Sequence, residues 1–404
     1  MKPLRCTAIV ILVGSVMSSA QQPTSQTADQ TQAVAGSNAF AGDLYAKLGS
    51  KTGNLFFSPE SISAAFAMAF AGAQGQTASQ MAHVFHYTLP PDRLHPAMGA
   101  LLADMNTPNN DFELHVANAL WAQKDENFLE SYLKQVQSAF GAGFRKVDFK
   151  SSPDAVRGTI NHWVEQQTKD KIKDLLPPGA VKASSRLVLT NAIYFKGTWV
   201  EPFEKADTRT EAFHVSSSQS VQAPLMHRSG PYRYYDGGTF QMLDLPYKGS
   251  RLSMIVLLPK KTDGLAALEE SFTSGGAGKW IEKLGFASKV ILTLPRFTMT
   301  QQFELGGTLA EMGMPLAFSG SADFSGITGK PGFFISAAIH KAFVDVNETG
   351  TVAAAATGLT LSATAMRQEP PPIVFRADHP FLFLIHDSNS GSILFLGRVT
   401  DPTK

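Results

Sequence analysis

The residue types that usually carry chemistry are sparse and poorly spaced in this chain of 404 residues. His83 and His86 stand at i, i+3 on an expected helix, with His95 nearby. No carboxylate or further histidine follows at ligand spacing, so no metal site is expected. There is no G-x-S-x-G elbow, phosphate-binding loop, dinucleotide glycine fingerprint or metalloprotease helix motif. The only cysteine, Cys6, precedes the N-terminal apolar run and would be lost on processing, which leaves no thiolate or disulfide. An enzyme has no constellation to stand on here, and no cofactor is expected. Asn347-Glu348-Thr349 fits the glycosylation sequon.

Residues 348–364, ETGTVAAAATGLTLSAT, are informative for another reason. Alternate positions Thr351, Ala353, Ala355, Thr357, Leu359, Leu361 and Ala363 form one small-to-apolar face, the period of a strand with one buried side. Gly350, Gly358 and the proline run 370–372 give the same stretch the composition of an exposed loop. Its alanines alone would also suit a helical turn. A segment fit for both an exposed loop and an interior strand is a candidate switch.

The elements that must position such a switch follow from composition and periodicity. The chain is 44% hydrophobic and 17% charged, with net charge +1, which supplies a large core. That balance argues against nucleic acid or an anionic membrane surface as the main partner. Lys2 and Arg5, an apolar run over 8–17 and Ser18-Ser19-Ala20 form a secretory signal peptide, residues 1–20, with cleavage expected after Ala20. The run is shorter than the roughly 20 residues of a spanning helix. The expected destination is extracellular, or periplasmic in a two-membrane bacterium. Residues 21–32 are polar, Gln/Thr-rich and expected to be disordered, which leaves a single domain over 33–404. Helical spacing marks 37–48, 131–140, 152–168 and 305–312, and 62–72 is apolar on all sides, as in a buried helix. Strand-like runs cover 54–58, 187–195, 252–258, 290–294, 333–346, 373–375, 381–385 and 393–399. Helices crowd the first half and strands the second, an α+β architecture.

Taken together these segments resemble the serpin family over essentially the whole mature chain. NLFFSPESISAAFAMAFAG (54–72), LTNAIYFKGTW (189–199) with Phe203 and Phe213, and LPRF (294–297) carry the resemblance. So do Met314-Pro315 followed by FSGI (324–327), HKAFVDVNE (340–348) followed by GTVAAAAT, FRADHPFLF (375–383) and FLGRV (395–399). The resemblance implies three β-sheets, about nine helices and an exposed reactive-centre loop near 348–372. It also implies a suicide inhibitor. A protease attacks the loop as substrate, and the cleaved loop then inserts into the main sheet and traps the acyl-enzyme. Some members of the fold only bind or chaperone, and some trap papain-like cysteine proteases, so both alternatives stay open.

The hinge separates these readings, because a charge or proline early in an inserting strand would cost desolvation or a ladder bond. Thr351, Ala353, Ala355 and Thr357 are small and uncharged, and Gly350 supplies a pivot. Val352 departs from the glutamate many members carry, on the side expected to face outward. By resemblance, Glu348 pairs with Arg296 in the breach at the top of the sheet, beside Lys196 and Trp199. Ser58, Ser61, Asn191 and His340 match the polar shutter beneath its centre. The loop spacing usual in inhibitory members, counted from Glu348, puts the scissile bond between Thr364 and Ala365. A small β-branched residue there suits an elastase-like serine protease. Met366, for chymotrypsin- or subtilisin-like enzymes, and Arg367, for trypsin-like ones, remain alternatives. A monomer is expected, with no membrane association after signal cleavage.

Overall fold

The run LVLTNAIYFKGT is apolar at successive positions, so it must lie in a sheet covered on both faces. That is where it lies in the computed structural model, which describes residues 26–141, 143–351 and 371–404. The helices are α1 (Ala28–Leu48), α2 (Pro59–Phe70), α3 (Gly75–Val84), α4 (Pro91–Met105), α5 (Glu130–Phe140), α6 (Pro153–Gln167), α7 (Leu265–Ser271), α8 (Ala277–Ile281), α9 (Leu305–Glu311) and α10 (Ser325–Thr328). The strands begin with β1 (Leu55–Phe57), β2 (Phe112–Gln123), β3 (Phe144–Val147), β4 (Leu187–Thr198), β5 (Arg209–His214), β6 (Ser220–Asp236), β7 (Phe240–Pro246) and β8 (Leu252–Pro259). They continue with β9 (Gly285–Pro295), β10 (Phe297–Glu304), β11 (Ile335–Asn347), β12 (Gly350–Thr351), β13 (Ile373–Arg376), β14 (Phe381–Asp387) and β15 (Ser392–Val399).

One sheet has six strands in the order β10-β11-β12-β4-β2-β3. The other has nine, β1-β15-β14-β8-β7-β6-β9-β13, with β5 added on β6. The long strand β6 serves two layers. It pairs with β5 over Ser220–Leu225, with β9 from Leu225 to Tyr234 across a register shift between Gly230 and Tyr232, and with β7 over Arg233–Asp236. The α+β fold thus has its three sheets, two of them joined through β6.

Between the sheets lies α2, with every residue buried. Its Ala, Ser, Phe and Met side chains let it pack against β2 and β4 on one side and β15 on the other. Ser58 caps it by accepting the Ser61 N–H at 3.3 Å, and Pro59 opens its first turn. A second, smaller core forms on the opposite face of the six-stranded sheet, where Ile160 and Val164 of α6 meet Trp121, Val188 and Tyr194.

The expected disorder of 21–32 is corrected at its end, since α1 begins at Ala28. The physical reason is a capping box hidden in the Gln/Thr-rich stretch. Gln30 N–H donates to Thr27 Oγ1 at 3.2 Å, and Thr27 N–H donates to Gln30 Oε1 at 2.8 Å. The structure also adds β2, β6, β7 and α4, which periodicity did not mark. In β2 the polar residues His115, Asn118 and Gln123 interrupt the apolar pattern, and Pro96 sits inside α4. No helix among the described residues is long and apolar enough to cross a membrane.

Candidate functional site

The six-stranded sheet is forked. In its lower part β11 and β4 pair in parallel, from Ile335↔Leu187 to Phe343↔Tyr194. Above that seam β12 comes between them, with Thr351↔Gly197 and Gly350↔Thr198 on β4, and Thr351↔Val346 and Gly350↔Asn347 on β11. The return from β11 into β12 is tight. Asn347 Oδ1 accepts the backbone N–H and the hydroxyl of Thr349, each at 3.1 Å. Gly350 has φ +152°, and a Cβ there would sit 2.0 Å from the carbonyl oxygen of Gly197. Only glycine fits that approach.

Thr351 is fully buried, with its hydroxyl 2.8 Å from that of Tyr247. The Tyr247 ring stacks on Trp199 at 4.5 Å and 11°. Trp199 in turn holds the return segment: its indole N–H donates to the Asn347 carbonyl at 3.0 Å and its backbone N–H to Thr349 at 2.9 Å. Phe203 N–H donates to the Glu348 carbonyl at 2.8 Å. The Glu348 carboxylate is buried; its Oε1 accepts from Thr208 Oγ1 at 2.8 Å. Arg296 Nε lies 3.6 Å from Oε2, a loose ion pair beyond hydrogen-bond range.

Lys196 belongs to a separate ion cluster. Its ammonium donates to Glu113 Oε1 at 2.9 Å, and Lys169 reaches Oε2 at 3.0 Å. These two lysines hold the Glu113 carboxyl down at about 2. Asn347 of the sequon is 9% exposed and its side chain shapes the turn, so a glycan would require the turn to open. The three histidines weighed for metal do not converge. His86 meets Asp43 at 2.7 Å, while His95 meets Gln135 at 2.7 Å. The described residues contain no group of three or more candidate ligands placed to hold a metal. Ala353, Ala355, Thr357, Thr364, Ala365, Met366 and Arg367 lie outside the described residues.

Under the closed part of the seam Ser58, Ser61, Asn191 and His340 come together, all fully buried. The Ser58 N–H donates to His340 Nε2 at 3.2 Å, which makes that nitrogen the acceptor. Nδ1 therefore carries the proton and donates it to Asn191 Oδ1. Asn191 Nδ2 donates to the Ser61 carbonyl at 3.0 Å and also meets Asn118 Oδ1. Ser58 Oγ donates to the Leu394 carbonyl of β15 at 2.6 Å. Burial pushes the imidazole of His340 down to about 3, so it is neutral. Sequence reading missed Asn118, Thr208, Gly197 and Tyr247. Asn118 had a usable signal, being an amide inside an apolar stretch like Asn191; the other three had none.

Residues 35–402 match the family described as Serpin (serine protease inhibitor). The chain is a serpin. It is 40% identical over 373 residues to the leukocyte elastase inhibitor of Equus caballus, covering 90% of this chain and 97% of that one. It is also 40% identical over 366 residues to an uncharacterised serpin-like protein of Thermococcus kodakarensis, covering 90% of this chain and 84% of the other. Human thyroxine-binding globulin, solved in complex with thyroxine, superimposes with TM-score 0.84 at 31% identity, over 93% of this chain and all of that one.

The neutral His340 makes this serpin acid-sensitive in a defined window. Its folded-state value is depressed below the roughly 6.5 of an unfolded histidine. Stability is therefore complete above about pH 6.5 and falls as the unfolded chain takes up the proton, until the folded value near 3 is reached. His340→Gln keeps one donor and one acceptor but cannot titrate. Urea unfolding between pH 7 and 4 should show a shallower loss of stability for this variant, by up to about one proton taken up on unfolding. Contributions from His95 and from Glu60, whose pKa burial raises and which acts with the opposite sign, cancel in the comparison. Equal pH slopes for the two proteins would refute the assignment.

Proposed function

We propose that this serpin is a secreted suicide inhibitor of serine proteases, which traps the acyl-enzyme by inserting its cleaved reactive loop into the six-stranded sheet. The observation that carries the reading is β12. The chain leaving β11 turns back at Gly350 and seats Thr351 between β11 and β4, in the position an inserting strand would extend. Beyond it the sequence offers Ala353, Ala355 and Thr357 for the inward positions, none of which brings a charge or a bulky side chain. Each residue that advances gains ladder bonds on two sides where the seam had one, and the small side chains keep desolvation low. The names of relatives such as the leukocyte elastase inhibitor agree with a protease as partner.

In this mechanism Glu348, Arg296 and Trp199 hold the entry point, and Ser58, Ser61, Asn191 and His340 part and re-form their hydrogen bonds as the strands separate. Lys196 acts by tying β4 to β2 through Glu113, so that the sheet yields on the other edge of β4. A strap must also shift. Lys341 of β11 donates to the Lys173 carbonyl at 2.7 Å, and the Arg186 N–H to Ser336 Oγ at 2.8 Å. The favoured scissile bond is Thr364–Ala365, with Met366 and Arg367 as later alternatives, and the favoured targets are elastase-like, then chymotrypsin- or subtilisin-like. The likeness to thyroxine-binding globulin supports a second reading, a binding protein with a passive loop.

Incubation of the mature monomer with pancreatic elastase, subtilisin, chymotrypsin, trypsin and papain separates the two. Inhibition gives an SDS-stable adduct and a released peptide that begins at Ala365 by mass spectrometry. Cleavage by every enzyme with no adduct and full residual protease activity supports the binding reading instead.

Thr351→Arg places a charge against the buried Tyr247 hydroxyl. The serpin consumed per protease inhibited should rise by about tenfold or more while cleavage of the loop continues. An unchanged stoichiometry would show that the insertion register is wrong.

Export by the N-terminal segment implies a mature protein starting at Gln21, followed by a single domain whose helix begins at Ala28. Expression of the full chain in a secreting host and sequencing of the released protein should return Gln21; retention of Met1 in the cell fraction would exclude it.

A further inference from the structure

A cavity of about 460 Å³ opens on the nine-stranded sheet, at the size of a small-molecule site. Its wall is built from Trp199 to Phe203, from Pro231 to Arg233 of β6, and from Ile281 at the end of α8. Four large hydrophobic side chains are exposed among the described residues, and two of them, Val200 at 42% and Phe286 at 78%, line this one cavity. Its floor carries Ser253 of β8 and His386 of β14, which are cross-strand partners. Ser253 is only 8% exposed, and neither its hydroxyl nor the His386 ring has a hydrogen-bond partner among the described residues. His386 is only partly buried, so both polar groups are open to a hydrogen bond from within the cavity.

The nearest charge is a carboxylate, since Asp244 Oδ1 is buried without a partner beside the cavity. Arg233 Nη1 lies 3.3 Å from Asp244 Oδ2, and Glu201 is bound by Arg228 at 2.7 Å. Burial holds the His386 ring toward its neutral form. An anionic ligand would lie against the Asp244 carboxylate, and an apolar one would cover the exposed rim. The cavity also touches the hinge, since Trp199 forms part of its wall and holds the carbonyls of Asn347 and Thr349.

We propose that this cavity binds an uncharged ring compound bearing one hydroxyl, which pairs with Ser253 and His386, and that occupancy alters how firmly Trp199 holds the hinge. The binding stands alone; its effect on inhibition rests on the proposed function.

Calorimetry of the mature chain with 2-naphthol, against 2-naphthoate as the charged match, tests it. The phenol should bind about tenfold more tightly than the carboxylate. Ser253→Phe fills the floor and should abolish binding. Phe286→Ser, at an exposed rim position that the fold does not need, should weaken it by about threefold. Hydrogen exchange at residues 347–351 should change when the phenol is bound. Absence of binding, equal affinity for the two probes, or full affinity in both variants would overturn the site. Binding without any change in exchange at 347–351 would overturn the link to the hinge. If elastase forms no adduct with the unliganded protein, the inhibitory function fails, while calorimetry still judges the cavity.

Discussion

One neutral imidazole ties together two strands of one sheet, the central helix and, through that helix, the second sheet. His340 stands on β11, accepts from the N-cap of α2 and donates to Asn191 on β4. The same N-cap residue, Ser58, reaches β15 of the second sheet through its hydroxyl. Both sheets and the helix between them therefore share one hydrogen-bond chain, which works only while the ring is uncharged with its proton on Nδ1. Loss of any one member leaves a buried donor or acceptor unsatisfied, at about 1–3 kcal/mol. That is a specific lock and a reversible one, because it contains no covalent bond and no close ion pair.

The lock sits beneath a sheet whose strands are unequally joined. On one edge β4 is paired with β2 from Phe112↔Gly197 to Ala122↔Leu187, and the Glu113–Lys196 contact adds a tie across that pairing. On the other edge it meets β11 only as far as Tyr194, after which β12 takes over. Gly350 makes the change of partner sterically feasible where its backbone meets the Gly197 carbonyl, while a Cβ on Gly197 would strike the rings of Phe195 and Tyr247. The weak direction of the sheet is thus set by pairing, while the platform of Trp199 and Tyr247 fills the space above the split.

Much of this was legible in the sequence where the signal is local. The all-round apolarity of α2 declares itself within a few positions, whereas Asn191 and His340 were placed by resemblance. Contacts made across long stretches of chain did not declare themselves. Tyr247 meets Thr351, and Thr208 meets Glu348, from loops and strands whose own patterns say nothing of those partners. Lys196 was grouped with the breach by resemblance, yet its charge is satisfied across the neighbouring strand. The start of α1 was obscured because composition outweighed the local spacing of Thr27 and Gln30. Side-chain partnership at a distance depends on how strands are ordered in the sheet, and a single sequence does not state that order.

The fork has a mechanical consequence. A sheet already split at one end parts as a material does at a crack tip, one pair at a time, because the load concentrates where Phe343 and Tyr194 still hold. The work of each advance is then the exchange of one rung for two, and does not grow with the length of seam remaining below. A strand entering from above, as the proposed mechanism requires, would never confront the whole interface at once. What resists it is the next rung alone, so the height of the barrier is written in a few residues around the tip rather than in the overall strength of the sheet.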